Sequence, residues 1–205
     1  MDAFVAQWLD YFYAGGWVML PLVLMTIVLW YALGYRYAVL RSAQSHKPVR
    51  LLLDEHLERA EKRKPRSMVE AALAQAVARK QSGSSNLRRQ LNADFWPLET
   101  ELNRHRVLIR TIVTIAPLLG LLGTVGGMIE TFDSLQDMDL FSQSGGIAGG
   151  ISQALITTQF GLTIAIPGLL INGMLNKRRD DIALQLAQVI DAVEVKKLMV
   201  HAKQS

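Results

Sequence analysis

Charge is missing from three long stretches of this chain. Tyr11–Tyr35, Thr111–Ile129 and Leu140–Asn176 hold no Asp, Glu, Lys or Arg. The apolar body of the first begins at Gly15 and that of the third at Ile151. A bilayer core about 30 Å thick takes about 20 apolar residues per helix, and all three bodies approach that length. One such run can be a buried helix in a water-soluble protein. Three of them in 205 residues are too many for one soluble core. The fold class expected is an all-α membrane protein with transmembrane helices at 15–35, 111–130 and 150–175.

The sign of the remaining charge sets an orientation. All 22 Lys and Arg lie in Arg36–Arg110 or Lys177–Lys203. The other two flanking regions carry acids only: Asp2 and Asp10, then Glu130, Asp133, Asp137 and Asp139. Lys and Arg are retained on the cytoplasmic side during insertion. Residues 1–14 and the loop 131–149 are therefore expected to face outward. The basic domain 36–110 and the C-terminal helix 176–205 are expected in the cytoplasm. Met1–Tyr13 has no positive charge of the kind that opens a signal peptide, so the first span is expected to be retained.

This placement gives the net charge of +4 a topological meaning, and nucleic-acid binding is not expected, because no stripe of bases and aromatics is present. With no cysteine, disulfides, thiolate metal sites and Cys nucleophiles are excluded. His46, His56, His105 and His201 have no metal-ligand spacing and are expected to be solvated.

In the cytoplasmic half, Leu51–Lys80 reads as helical, broken at Pro65 and ended by Gln81–Ser85. Ser84, Ser85 and Asn86 can cap the next helix. Leu87, Leu91, Phe95, Leu98 and Leu102 then mark one face, and no strong breaker follows before Thr111. This helix is expected to run straight into the second span. Ile182, Leu186, Val189, Val193 and Lys197 extend one face of the third span in the same way. Both extensions need something to cover them, either each other or a neighbouring subunit.

The two later spans carry small residues at helical spacing: Ala116, Gly120, Thr124, Gly127 and Thr131, then Ala154, Thr158, Gly161, Ala165 and Gly168. Small residues let helix backbones approach closely in lipid. Counted from the span midpoints, Thr124 lies ~6 Å outward and Thr158 ~7.5 Å. Glu130 and Gln153 form a second polar layer ~15 Å outward. Two hydroxyls at matched depth on two small-residue faces point to a shared polar path. No span interior holds an ionisable residue, though a membrane proton relay normally has one. If ions pass, another polypeptide supplies the carboxylate. An enzyme would lack a nucleophile and base here.

Ile115-Ala-Pro-Leu-Leu-Gly-Leu-Leu-Gly-Thr-Val-Gly-Gly-Met-Ile129, followed by Phe132, resembles the second-span signature of the MotA/TolQ/ExbB family. Gly150-Ile-Ser-Gln-Ala-Leu-Ile-Thr-Thr158, with Gly161-Leu162 and Ala165-Ile-Pro167, resembles its third-span signature. Three spans are similar to the ExbB/TolQ branch. The resemblance implies a bacterial inner-membrane protein with a periplasmic N-terminus and a cytoplasmic C-terminus. It implies a homopentameric ring whose second and third spans surround a dimer of an ExbD/TolR-like single-span protein bearing a membrane Asp. Such a motor spends proton motive force to energise a TonB- or TolA-like protein, without an enzymatic step or a bound cofactor. Its ion is H+, with Na+ as the alternative.

Carried over by position, the resemblance makes Thr124 and Thr158 the pore threonines. Thr157, Gln153 and Glu130 join them on the ion path. Ala116, Pro117, Gly120, Gly123 and Gly127, with Ala154, Gly161 and Ala165, become helix-packing or partner-facing positions. Gln153 stands where many relatives have Glu, and Thr157 where proton-using relatives often have Ala or Gly. Gln keeps the hydrogen bonds of Glu but cannot titrate. The extra hydroxyl of Thr157 either completes an oxygen shell for a cation or bonds its own backbone.

Overall fold

A computed structural model describes residues 15–45, 48–52, 67–81, 86–137 and 145–202. The expected features at 1–14, Pro65, 82–85 and 138–144 lie outside the described residues. The described residues form helices and no strand: α1 Met19–Ala43, α2 Met68–Gln81, α3 Leu87–Asn103, α4 Arg106–Asp137 and α5 Gly145–Ala202. Three stretches are long and apolar enough to cross a membrane, within Met19–Ala43, Leu87–Leu135 and Ile147–Glu194. Pro117 and Pro167 sit inside α4 and α5 without ending them, as helices in lipid allow when neighbours satisfy the freed carbonyls.

The chain divides into two compact units. One comprises Met1–Leu33 and His105–Asn172. Its outer surface is apolar, with Leu24, Ile27, Val125, Phe132, Leu155 and Leu170 all exposed. Its interior combines large side chains, Leu22, Leu29 and Ile109, with small ones, Ala32, Ala116 and Thr157, all fully buried. Large apolar residues on the outside and small residues where helices meet are how helices pack in hydrocarbon.

The other unit comprises Gly34–Arg104 and Gly173–Ser205. Here the large residues are inside. Leu87, Leu91, Phe95 and Leu102 of α3 are buried, as are Ile182, Leu186, Val189 and Val193 of α5, so both apolar stripes are covered. Leu98 is only half-buried. Arg79 reaches Asp94 with Nε at 3.1 Å and Nη2 at 3.3 Å, joining α2 to α3. Lys80 Nζ donates to the Val193 carbonyl at 2.7 Å, and Arg88 pairs with Glu194 at 3.0 Å. Arg36 is 2% exposed and donates Nη2 to Asn176 Oδ1 at 2.8 Å.

Three sequence expectations change. The α3 helix does not run into the second span. It stops at Asn103, Arg104 is extended at ψ 140°, His105 turns left-handed at φ 59°, and α4 starts at Arg106. His tolerates that conformation better than most residues, so neither Gly nor Pro marks the break. The extended Arg104 places its guanidinium 5.3 Å from the Tyr35 ring centre and 3.4 Å from Glu101. His105 is not a solvated histidine: it is half-buried and edge-on to Tyr31, 6.4 Å between ring centres. Asn86 occupies the N-cap of α3 without a side-chain cap bond, and its backbone carbonyl accepts from Gln90 N at 3.1 Å.

Candidate ion-pathway site

The glycines of α4 and α5 set the geometry of the site. A Cβ on Gly120 would stand 2.9 Å from the Thr157 carbonyl oxygen and 3.1 Å from Thr158 Cα. One on Gly161 would stand 2.7 Å from the Ala116 carbonyl oxygen. Real Cβ atoms do not come that close to backbone, so the two helices touch main chain to main chain. Gly123 meets the Thr157 side chain, and Gly127 meets Gly150 and Ala154. Ala116 is fully buried, while Ala154 and Ala165 are 7% and 6% exposed. The two small-residue stripes face one another and leave no cavity between them. The shared path foreseen from sequence therefore cannot run through this seam.

The hydroxyls lie in and beside the seam. Thr157 is fully buried and donates to its own helix, to Gln153 O at 3.0 Å and Ala154 O at 3.1 Å. Thr158 is half-buried. It donates across the seam to Gly120 O at 3.3 Å and within α5 to Ala154 O at 3.2 Å. Thr124 is half-buried and donates to Leu121 O at 2.7 Å. Each hydroxyl has committed its proton to backbone; the half-buried Thr124 and Thr158 retain oxygen lone pairs to offer elsewhere, while the oxygen of the fully buried Thr157 is enclosed against Gly123.

The Cα of Thr158 is level with Gly120, about one turn from Thr124 along α4. Both side chains lean toward their own helix N-termini, which in antiparallel helices brings them closer in depth. Their hydroxyls bond adjacent carbonyls of α4, Leu121 O and Gly120 O, so the two oxygens lie at similar depth, in a register set by interlocking glycines.

Toward the C-terminal end of α4, Gln153 is 7% exposed and donates Nε2 to Glu130 Oε1 at 3.4 Å. Both side chains lean toward their helix N-termini, which in antiparallel helices brings them together. Gly16 covers the Gln153 amide, and its φ of +62° is one that glycine adopts freely. Trp17 Nε1 lies 3.9 Å from where a Gly126 Cβ would be. Gly126 is about 160° around α4 from Thr124, and Gln153 about 140° around α5 from Thr158. The turn leading into α1 thus meets the flank opposite Thr124 and Thr158. Pro117 is half-buried, and Glu130 is exposed.

Sequence reasoning passed over Gly16, the seam partner Gly150 as a site residue, and Gln159. Gly16 gave no signal, because a positive φ next to a distant helix is a tertiary fact. Gln159 did give one: it is the lone amide between Gln153 and Asn172 in an uncharged run.

Residues 42–188 match the profile described as the MotA/TolQ/ExbB proton channel family. The chain belongs to that family. The match takes in all of α4 and most of α5. Among relatives of this MotA/TolQ/ExbB member, "Putative biopolymer transport protein ExbB-like 1" of Synechocystis sp. is 34% identical over 176 residues, 80% of this chain and 68% of the relative. "Putative biopolymer transport protein ExbB-like 3" of the same organism is 44% identical over 70 residues, 34% of this chain and 33% of the relative. "Biopolymer transport protein ExbB" of Aquifex aeolicus is 37% identical over 84 residues, 40% of this chain and 56% of the relative. The matched segments thus span less than two thirds of two of these three relatives. With its three apolar helices, this family member is a multi-pass membrane protein.

Proposed function

We propose that the chain is the ring subunit of an ion-driven motor in the bacterial inner membrane. The N-terminus faces the periplasm and the C-terminus the cytoplasm. Copies assemble as a homopentamer around a dimer of an ExbD/TolR-like single-span protein, whose membrane Asp supplies the titrating group. The complex energises a TonB- or TolA-type protein for outer-membrane transport or envelope maintenance.

One observation carries this function. Thr124 and Thr158 flank a closed seam on the side away from the α1 turn, with lone pairs available, in spans that hold no ionisable residue. Such a wall offers oxygen to a passing ion and needs an acid from outside. Glu130 and Gln153 bond one another on the opposite flank, beneath the α1 turn, and brace the wall that the small residues build. One elementary charge crossing 100 mV releases about 2.3 kcal/mol, which suits small steps against a surface without deep minima. H+ fits better than Na+, because Thr157 turns its hydroxyl into its own helix and offers no outward oxygen.

The test replaces Thr124 and Thr158 by Val, singly and together, in cells carrying the partner proteins. Ion-coupled function is expected to fall while the oligomer stays assembled. Full function in the double variant would overturn the pore role and favour a second reading, a passive scaffold. That second reading has its own support, since every threonine named here donates to backbone.

A further inference from the structure

A glycine inside a helix needs a reason, because only proline favours the helix less. In α4 and α5 the reason is close approach. A Cβ on Gly120, Gly127, Gly150, Gly161 or Gly168 would lie 2.9 Å or less from a neighbouring atom. Gly34 of α1 and Gly173 of α5 have no such reason. Nothing lies within 4 Å of either Cβ position among the described residues, and both glycines are exposed. What they share is their place in the chain. The first compact unit gives way to the second between Leu33 and Gly34, and again between Asn172 and Gly173.

The remaining passage lies between Arg104 and His105, where the helix is broken outright. The hydrogen bonds of α3 close with Arg104 N on Glu101 O at 3.1 Å, and those of α4 open with Ile109 N on His105 O at 3.0 Å. Each residue of this joint is held by its own unit. Arg104 donates to the Tyr35 hydroxyl at 3.2 Å and pairs with Glu101, whereas the His105 ring stands edge-on to Tyr31. Turning about ψ of Arg104 and φ of His105 disturbs neither set.

We propose that Gly34, the Arg104–His105 joint and Gly173 form a hinge that lets the two units move separately. One flexible link beside two stiff ones would free nothing. Here every covalent path from one unit to the other crosses a weak point. Glycine supplies it within the two helices, because it opens the widest range of backbone conformations. The break supplies it at the third passage. Hinges are typically a few such residues that absorb the change in φ and ψ. The use of this hinge rests on the motor proposed above: the α4–α5 seam shifts in small steps without carrying the buried core of α2 and α3 along.

The full chain has no cysteine, so nitroxide labels can be placed cleanly. Val107→Cys in the first unit and Leu184→Cys in the second carry them, both exposed and outside the site. Labelled copies are diluted with unlabelled chain, so that only pairs within one copy are read. The spread of the label-to-label distance is compared with and without Gly34→Ala plus Gly173→Ala. Gly149→Ala is the control, since its Cβ position is also open but lies inside the first unit. Each hinge alanine is expected to cut the bent fraction about fivefold, the usual ratio of alanine to glycine in a helix interior. The double variant should therefore narrow the spread, and the control should leave it unchanged.

An equal spread in the double variant would overturn the hinge. So would loss of an oligomeric mass in that variant, because the glycines would then be seats for a neighbouring chain. A narrowed spread with ion-coupled function lost in an intact oligomer supports both the hinge and its use. A narrowed spread with full function supports the hinge and overturns its part in the motor. Absence of ion-coupled function in the unsubstituted chain with its partners would overturn the motor itself and leave the spread to decide the hinge.

Discussion

Thr158 donates its hydroxyl to the carbonyl of Gly120 at 3.3 Å, across a seam where the backbones of α4 and α5 touch. The same glycine leaves only 2.9 Å between a would-be Cβ and the Thr157 carbonyl oxygen. The Thr158 hydroxyl and the packing of the two helices therefore share one residue, and whatever moves Gly120 moves Thr158.

A first prediction contrasts two glycines. Gly120→Ala pushes a methyl into fixed backbone, and overpacking of this kind costs about 1–3 kcal/mol. Gly173 has nothing within 4 Å of its Cβ position and is exposed. Gly173→Ala removes a helix-interior glycine and should stabilise by about 0.5–1 kcal/mol. Thermal unfolding of the purified protein in detergent should lower the midpoint for the first variant and hold or raise it for the second. Equal midpoints would show that the seam is looser than drawn.

A second prediction separates Thr157 from Thr158. Thr157 packs its methyl and hydroxyl on Gly123 and bonds only its own helix. Val has nearly the same shape, and removing a hydroxyl along with its intrahelical bond costs little. Thr157→Val should retain ion-coupled function, and stability should change by less than about 1 kcal/mol. Thr157→Ala should destabilise by about 1 kcal/mol through the lost methyl. A functional collapse in Thr157→Val with the oligomer intact would place this hydroxyl on the ion path and revive Na+ as the ion.

The contrast shows where the sequence was legible. Three charge-free runs announced the spans, because hydrocarbon excludes charge whatever the tertiary structure. Leu87, Leu91, Phe95 and Leu102 announced their own burial through spacing, and Gly120 and Gly161 announced close packing. Nothing local announced that α3 ends at Asn103, since a left-handed His105 is chosen by what Arg104 and His105 reach, Glu101 and Tyr31. The register of α4 on α5 was likewise hidden. It depends on which glycine meets which carbonyl, and counting from span midpoints reached only the approximate depth of the Thr124 and Thr158 hydroxyls.

A third prediction concerns Arg36, a cation 2% exposed in the C-terminal half of α1. Asn176 accepts from it at 2.8 Å. Hydrogen bonds to charged groups contribute about 1.5–3 kcal/mol, and Leu at 176 cannot replace the acceptor. Asn176→Leu should destabilise by that order in thermal unfolding. Asn176→Asp keeps an acceptor and adds opposite charge, so it should do no worse than wild type. Two variants equally destabilised would show that packing, not the bond, matters at this position.

The last prediction tests the cluster of Gly16, Gln153 and Glu130. Gly16 holds φ +62° and its Cβ position is filled by the Gln153 amide. Gly16→Ala meets both penalties, backbone and steric. The left-handed conformation alone costs an L residue about 1–2 kcal/mol. The turn from Gly15 to Val18 should lift off Gln153, and hydrogen exchange at Val18 and Met19 should quicken. Gln153→Ala opens the space that the alanine methyl needs, so the double variant should recover most of the protection lost in Gly16→Ala. Additive losses in the pair would mean that the strain lies in the backbone alone and that Gly16 does not rest on Gln153.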